Sequence, residues 1–419
     1  MLRWLTGGES HGPGLTVVVD GLPAGVPLDG ERVAAELARR QQGYGRGGRM
    51  RIERDRARFL GGVRHGRSTG APVVLWIENR DWANWQEVLS PDLPSPGAEA
   101  EGAGEAPRES PTAAERRRAP VERPRPGHAD LAGALKYGHR DMRDVLERAS
   151  ARETAARTAA GAVAKRLLAE LGVEVGSFVE RIGPATWRRE PAYPADPDAW
   201  RAWAAAAERS PVRCPEPQAE AAMMEVIEQA LREGDTVGGR FLAFAVGLPA
   251  GLGSYAQWDR RLDGRIAQAV VSIPGVKAVA IGAGEEMAEE PGSCVHDPLL
   301  PDPSGPRPGR FVRPSDRAGG LEGGVTNGEP LLVSGVMKPL ATLRRGLPSV
   351  HMPSGQPAEA TYERSDVCVV PAAGVVAEAM LALVLADALL EAVGGDSLEE
   401  VRRHVEERRR AREAGWPWG

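Results

Sequence analysis

The chain has 419 residues, of which 42% are hydrophobic and 26% charged, with a formal net charge of −5. That balance describes a globular protein with room for a large core and argues against a generally basic binder of nucleic acid. Aromatic residues make up only 5%, too few for a broad base-stacking platform.

Residues 15–20 read as a β-branched strand, and 29–42 as a helix with Val33 and Leu37 on one face. A glycine-rich turn at 43–48 and an extended stretch at 50–60 precede an apolar strand at 72–77. Residues 94–126 are rich in Pro, Ala, Glu, Gly and Arg with almost no large apolar side chain. Such a segment buries too little surface to offset its ordering entropy, so 94–121 is expected to be a flexible, low-complexity insertion. Residues 141–171 carry a stripe of Val145, Ala149, Ala156, Ala160, Val163, Leu167 and Leu171 and predict one long helix, stopped by Gly172. Strands are predicted at 174–182, 240–246, 276–281, 330–337 and 367–370, and helices at 215–232, 263–272 and 371–393. A charged helix closes the chain within 396–419. Helices and strands do not alternate regularly, and no solenoid-length repeat is present. The expected class is α+β or layered α/β.

Cys214, Cys294 and Cys368 are odd in number and far apart, so neither a disulfide framework nor a metal site is expected. The start of the sequence has no leader pattern and no apolar run is long enough to call a bilayer span, so a cytoplasmic protein without a membrane partner is expected.

Several short motifs carry chemistry. His11 sits in Gly8-Glu9-Ser10-His11-Gly12-Pro13, a glycine-flanked turn that can expose the ring. Arg39 to Arg49 contain a formal G-x-G-x-x-G, but a helix precedes it and an extended segment follows, the reverse of a dinucleotide fingerprint. The remaining reading is an Arg-studded loop whose guanidinium forks match phosphate or carboxylate oxygens, against the alternative of a solvated basic loop. His128 lies in Arg125-Pro126-Gly127-His128-Ala129-Asp130, a second histidine in a Pro/Gly turn. Arg148 and Arg152 are four apart, which on one helix puts them on one face. Either a Glu partner or an anionic ligand would relieve their repulsion. Lys338 to Thr342 follow a strand and could hold a phosphate without a Walker A glycine cradle. Asp366, two residues from Arg364, suits an oriented base or an edge ion pair.

In order and approximate spacing, Gly8–Gly12, Arg148–Arg157 and Arg364–Gly374 resemble the three signature segments of the chorismate synthases. Arg40–Arg49, Arg125–Leu131, Gly251–Gly264, Ala318–Gly328 and Lys338–Thr342 resemble further family segments, and the likeness covers nearly all of the chain outside 94–121. The resemblance implies one domain over 1–419, a β-α-β sandwich with a helical layer between sheets, and a homotetramer. It implies a lyase that uses reduced FMN in a trans-1,4 elimination of phosphate from 5-enolpyruvylshikimate-3-phosphate, a polyanion. That reaction is the last common step of the shikimate pathway of aromatic amino acid biosynthesis. It implies that His11 protonates the leaving phosphate, that His128 stands by the reduced flavin, and that Asp366 helps the flavin accept the substrate proton. By the same likeness Arg40, Arg46, Arg49, Arg125 and Arg152 surround the substrate's anionic groups, Arg40 and Arg46 being sometimes assigned to NADP. Flavin contacts fall on Arg148, Ala149, Ser150, Gln268, Ala269, Gly323, Lys338, Pro339, Leu340, Ala341, Thr342 and Arg364. With no separate nucleotide fingerprint in the chain, an outside NAD(P)H-dependent reductase is the expected source of reduced flavin. The rivals are a flavin reductase, which would oxidise NADPH unaided, and an RNA-binding protein, which would bind with steep salt dependence.

Overall fold

Antiparallel pairing of β-branched runs builds two sheets. The computed structural model describes residues 1–46, 55–92, 117–302, 311–362 and 366–413. The first sheet has the strand order Arg3–Gly7, Gly14–Asp20, Val73–Glu78, Ala57–Gly61. Leu15, Val17 and Val19 are buried opposite Ile77, Leu75 and Val73. The second sheet runs Val276–Ile281, Leu331–Met337, Gly239–Val246, Glu174–Ile182, Ala185–Thr186. Its central strands are buried nearly throughout, as continuous apolar runs are when both faces are covered. On one face Phe178 and Phe244 meet Trp200 from the helix Pro197–Ala207.

The helix Glu153–Glu170 packs on the first sheet, the helix Val370–Val393 packs on the second, and the two pack on each other. Both are apolar on nearly every side, which for a helix means burial all round. Among the described residues, Val370–Val393 is long and apolar enough to cross a membrane, but 89% of its most apolar window is buried inside the protein. A third helix, Gly30–Gln41, lies against both. The Asp29 side chain accepts from the Glu31 N–H at its start, and Arg39 and Arg40 occupy its last turn, where cations complement the helix dipole. A buried carboxylate joins this layer: Glu378 of the apolar helix meets Arg39 and Lys165, each at 2.8 Å.

Two expectations are corrected. The predicted helix 141–171 is two helices, Arg143–Ala149 and Glu153–Glu170, because Ser150 turns to an extended ψ of 148°. The break is held by side chains: Ser150 Oγ donates to Ser10 Oγ at 3.0 Å, and Arg40 Nη2 donates to the Ala151 carbonyl at 2.9 Å. Residues 367–370 are not a strand; Val370 opens the apolar helix and Pro371 occupies its first turn, a position whose fixed φ suits proline. Of the expected insertion 94–121, residues up to 116 lie outside the described residues; beyond them Arg118 pairs with Glu87 at the surface, 118–120 are exposed, and Val121 is buried with Ala134, Met142 and Leu146. The helices Asp130–Tyr137 and Pro197–Ala207 and the strand Arg3–Gly7 were not anticipated.

The crossing of the two central helices depends on Gly161. A Cβ there would overlap the Cα and Cβ of Ala379. Gly161→Ala, although a better helix former, should therefore destabilise the protein by about 1–3 kcal/mol through overpacking. Chemical denaturation checks this, and an unchanged or higher midpoint would show that the helices separate freely.

Candidate active site

The His11 turn packs against the helix Arg143–Ala149 and the segment that follows the strand Val73–Glu78. His11 Nδ1 is 2.9 Å from Oε1 of Glu147, a side chain only 1% exposed, and the ring stacks on Trp85 with centroids 3.9 Å apart. Neither Glu147 nor Trp85 was singled out in the sequence. Asn79 donates to the carbonyls of His11 and Gly12, each at 2.9 Å, and holds the turn.

Beside it the arginines converge. Arg152 Nη1 donates to the Ser10 carbonyl at 3.0 Å, and its Nη2 lies 3.3 Å from Asp55 and donates to the Glu78 carbonyl at 3.2 Å. Arg40 donates to Thr154 at 2.8 Å, and its Nη1, 3.6 Å from Asp55, is buried without a hydrogen bond. Burial lowers the Arg40 guanidinium to about 10; Asp55 opposes the shift, and Arg46 and Arg152 add to it. Arg46 Nε stands 3.4 Å from Asp366. Arg46, Asp366, Thr342 and Tyr362 line one cavity of ≈ 170 Å³.

The second histidine closes the other side. His128 Nδ1 lies 2.6 Å from Oδ1 of the fully buried Asp130, and Arg125 Nε donates to Asp130 Oδ2 at 2.8 Å. Burial would raise the Asp130 carboxyl, but hydrogen bonds from His128 and Arg125 hold it well below the usual carboxylate range. Arg125 Nη1 also donates to Thr342 at 3.1 Å, so the 125–130 turn and the 338–342 loop form one wall. Gly127 takes a φ of 78°, a left-handed conformation that favours glycine, with Lys338 Nζ and Ala341 at ordinary contact distance. Leu340 accepts from Thr236, and Pro339 accepts from Lys338 Nζ at 3.4 Å. Burial, then Lys277, lowers the Lys338 ammonium.

Thus Ser150, Arg152 and Arg40 gather around the His11 turn, and Arg46, Asp366, Thr342, Arg125 and His128 form an adjoining group, with the charges of Arg46 and Asp366 felt at Arg40. Other anticipated residues stand apart from these groups. Arg148 reaches to the Gly8 carbonyl at 3.1 Å and Thr6 Oγ1 at 2.8 Å, with a Glu partner, Glu153, at 4.0 Å. Ala149 ends its helix. Gln268 and Ala269 lie on the helix Leu262–Val271, whose first residue bonds to Gly324 beside Gly323. They form a second neighbourhood. Arg49 and Arg364 lie outside the described residues.

A sequence model of the family described as chorismate synthase matches residues 2–390. The chain belongs to the chorismate synthase family. It is 53% identical over 406 residues to the chorismate synthase of Moorella thermoacetica, spanning 97% of each chain. It is 54% identical over 419 residues to that of Desulforudis audaxviator, spanning 99% of this chain and 100% of the other. A crystal structure of a chorismate synthase superposes with a TM-score of 0.75 at 39% identity, covering 99% of this chain and 98% of that one. The mixed helix and sheet content expected from the resemblance is therefore correct.

In this family member the glycine turn leading to Gly323 is pinned by Asp316, which is fully buried. Its Oδ1 accepts from the Gly320 N–H at 2.8 Å, and its Oδ2 has no hydrogen bond. Burial pushes this carboxyl up to about 8; the Gly320 hydrogen bond opposes that, and Glu329 and Asp297 add to it. A raised folded value means stability that is present below the ordinary 3.8 and lost as pH rises through about 8. Asp316→Asn should therefore flatten the fall in unfolding temperature between about pH 5 and about pH 9. Parallel curves for wild type and variant would show that Asp316 does not titrate with folding.

Proposed function

We propose that this chain converts 5-enolpyruvylshikimate-3-phosphate to chorismate by a trans-1,4 elimination of phosphate that needs reduced FMN. The observation that carries this reading is the buried nitrogen of Arg40 among its neighbouring arginines. Arg40 and Arg152 meet at Asp55, Arg46 stands 3.4 Å from Asp366, and Arg40 Nη1 is buried without a hydrogen bond. A substrate with a phosphate and carboxylates matches such a cluster, and bidentate guanidinium forks orient it.

The residues present also fit a flavin. Lys338, with its single long backbone contact, and Thr342 would hold it beside His128, while Gly323, Gln268 and Ala269 would supply further backbone and aliphatic surface. When bound, reduced flavin supplies transient electron donation that assists phosphate departure and is recovered, which gives a reaction with no net redox change. The protein's work is orientation and proton management. His11 delivers a proton to the departing phosphate oxygen. Asp366, held by Arg46, serves the proton lost from the ring. His128, its Nδ1 on Asp130, presents its other edge to the cofactor. Reduced flavin comes from an outside NAD(P)H-dependent reductase.

The family likeness supports a homotetramer with flavin pockets near the subunit contacts. The two sheets with their helical layer are then the family's β-α-β sandwich, one domain over 1–419 that carries 94–121 as an insertion.

Under strict anaerobiosis the protein should release phosphate from the substrate with reduced FMN, consume none of the flavin stoichiometrically, and stay inactive with oxidised FMN. His11→Ala should lose about 100-fold or more in kcat while still binding substrate, since a general acid contributes about 10²–10⁴-fold. Phosphate release in single-turnover experiments, with binding followed by calorimetry, checks both. Equal activity with oxidised FMN would remove the flavin reading, and a fully active His11→Ala would remove the proton donor.

A further inference from the structure

Glu147 immediately precedes Arg148, and the chemistry above does not use it. Its side chain is 1% exposed, yet both oxygens face His11. Oε1 is 2.9 Å and Oε2 3.0 Å from Nδ1, and Oε2 also accepts from the His11 backbone N–H at 2.8 Å. The Glu147 carbonyl accepts from the Ser10 N–H at 2.9 Å, which ties the helix Arg143–Ala149 to the turn. The cation nearest this carboxylate is Arg143, at 3.8 Å on the same helix. Trp85 covers one face of the imidazole with an interplanar angle of 22°, and Arg117 and Arg143 sit over the Trp85 ring at 5.8 and 5.5 Å. The ring is thus held by its edge, its face and its own backbone.

An ionised carboxylate accepts hydrogen bonds and donates none. A nitrogen that shares its hydrogen with both oxygens of Glu147 must carry that hydrogen in both the neutral and the charged ring. We propose that Glu147 is a positioning residue that locks His11 in the Nδ1–H tautomer, so that proton delivery to the leaving phosphate passes through Nε2 alone. The proposal rests on the reading of His11 as that proton donor. In the step, the Nε2–H bond of the imidazolium breaks and its electron pair stays on nitrogen, while a new O–H bond forms on the departing phosphate. Neutral imidazole remains with Nδ1–H on Glu147, and solvent water returns a proton to Nε2. The carboxylate stabilises the imidazolium before transfer and prevents the ring from turning afterwards, the part a buried acid plays behind a catalytic histidine.

The test reads the tautomer directly. Wild-type protein labelled with ¹⁵N-histidine, with the His11 signals assigned by their loss in His11→Ala, should show neutral His11 protonated at Nδ1 and bare at Nε2. Glu147→Gln offers a donor as well as an acceptor, so the Nε2–H form should become populated. In the same variant kcat should fall at least about tenfold, less than on removing the acid outright. KM for substrate should stay within about threefold of wild type because the arginines are untouched. Glu147→Asp, which keeps a carboxylate, should restore part of kcat. An Nε2–H tautomer in the wild type overturns the proposal without any variant. So does a Glu147→Gln protein with unchanged tautomer and kcat, or one in which KM and unfolding temperature deteriorate together with kcat. A fully active His11→Ala would instead overturn the proton-donor reading, and the NMR result for Glu147 would still be read independently.

Discussion

One carboxylate in the middle of the most apolar helix holds the layers in register. Glu378 is fully buried and accepts from Ser177 Oγ at 2.6 Å, from both terminal nitrogens of Arg39 at 2.8 Å and from Lys165 at 2.8 Å, with Arg213 at 3.3 Å. Those partners come from the first helix, the alanine-rich helix and the second sheet, so a single anion spans the helical layer. Burial would raise the Glu378 carboxyl, but attraction to Arg39 and then Lys165 holds it well below the usual range. Buried ion clusters add little net stability over apolar residues of similar volume, yet removing one member costs about 3–5 kcal/mol. Its contribution is alignment: small apolar side chains such as the alanines of 155–164 do not by themselves distinguish one helix register from the next.

Alignment matters because Arg39 and Arg40 are consecutive and have opposite fates. Arg39 is satisfied by Glu378, Glu36 and Glu208. Arg40 points the other way, toward Asp55 and the break between the two middle helices, with its guanidinium lowered and one nitrogen without a hydrogen bond. Locking the first neighbour delivers the second to Asp55, which it shares with Arg152. A buried cation of this kind opposes folding, and it is retained where a ligand repays the loss on binding. The same logic joins the two histidines, each anchored through Nδ1 to a buried carboxylate, Glu147 for one and Asp130 for the other.

Much of this was legible where chemistry is local. Periodicity located the helix Gly30–Gln41 and the strand Leu331–Met337 to within a residue or two, and the order of the motifs carried the family. The break at Ser150 was not legible, because the alanine stripe runs on through it and one extended ψ leaves no periodic trace. The apolar run 367–370 looked like a strand because β-branched residues favour strands, while Pro371 and the long helix behind it decide otherwise. Glu147 lies 136 positions from His11, so its pairing exists only in the fold; its place beside Arg148 was the one available hint. Asp130 stands two residues after His128, and that spacing was readable.

The central claim is that Arg40, Arg46 and Arg152 gather to hold the anionic groups of the substrate. The most direct measurement is a paired one on Arg40→Gln: thermal unfolding without ligand and calorimetric titration with substrate in the presence of FMN. The account predicts at least about a tenfold loss of substrate affinity in a protein that still folds, whatever stability is lost with the Thr154, Ala151 and Asp55 contacts. A protein that loses several degrees of stability while binding substrate as tightly as wild type would contradict it and make Arg40 a structural strut.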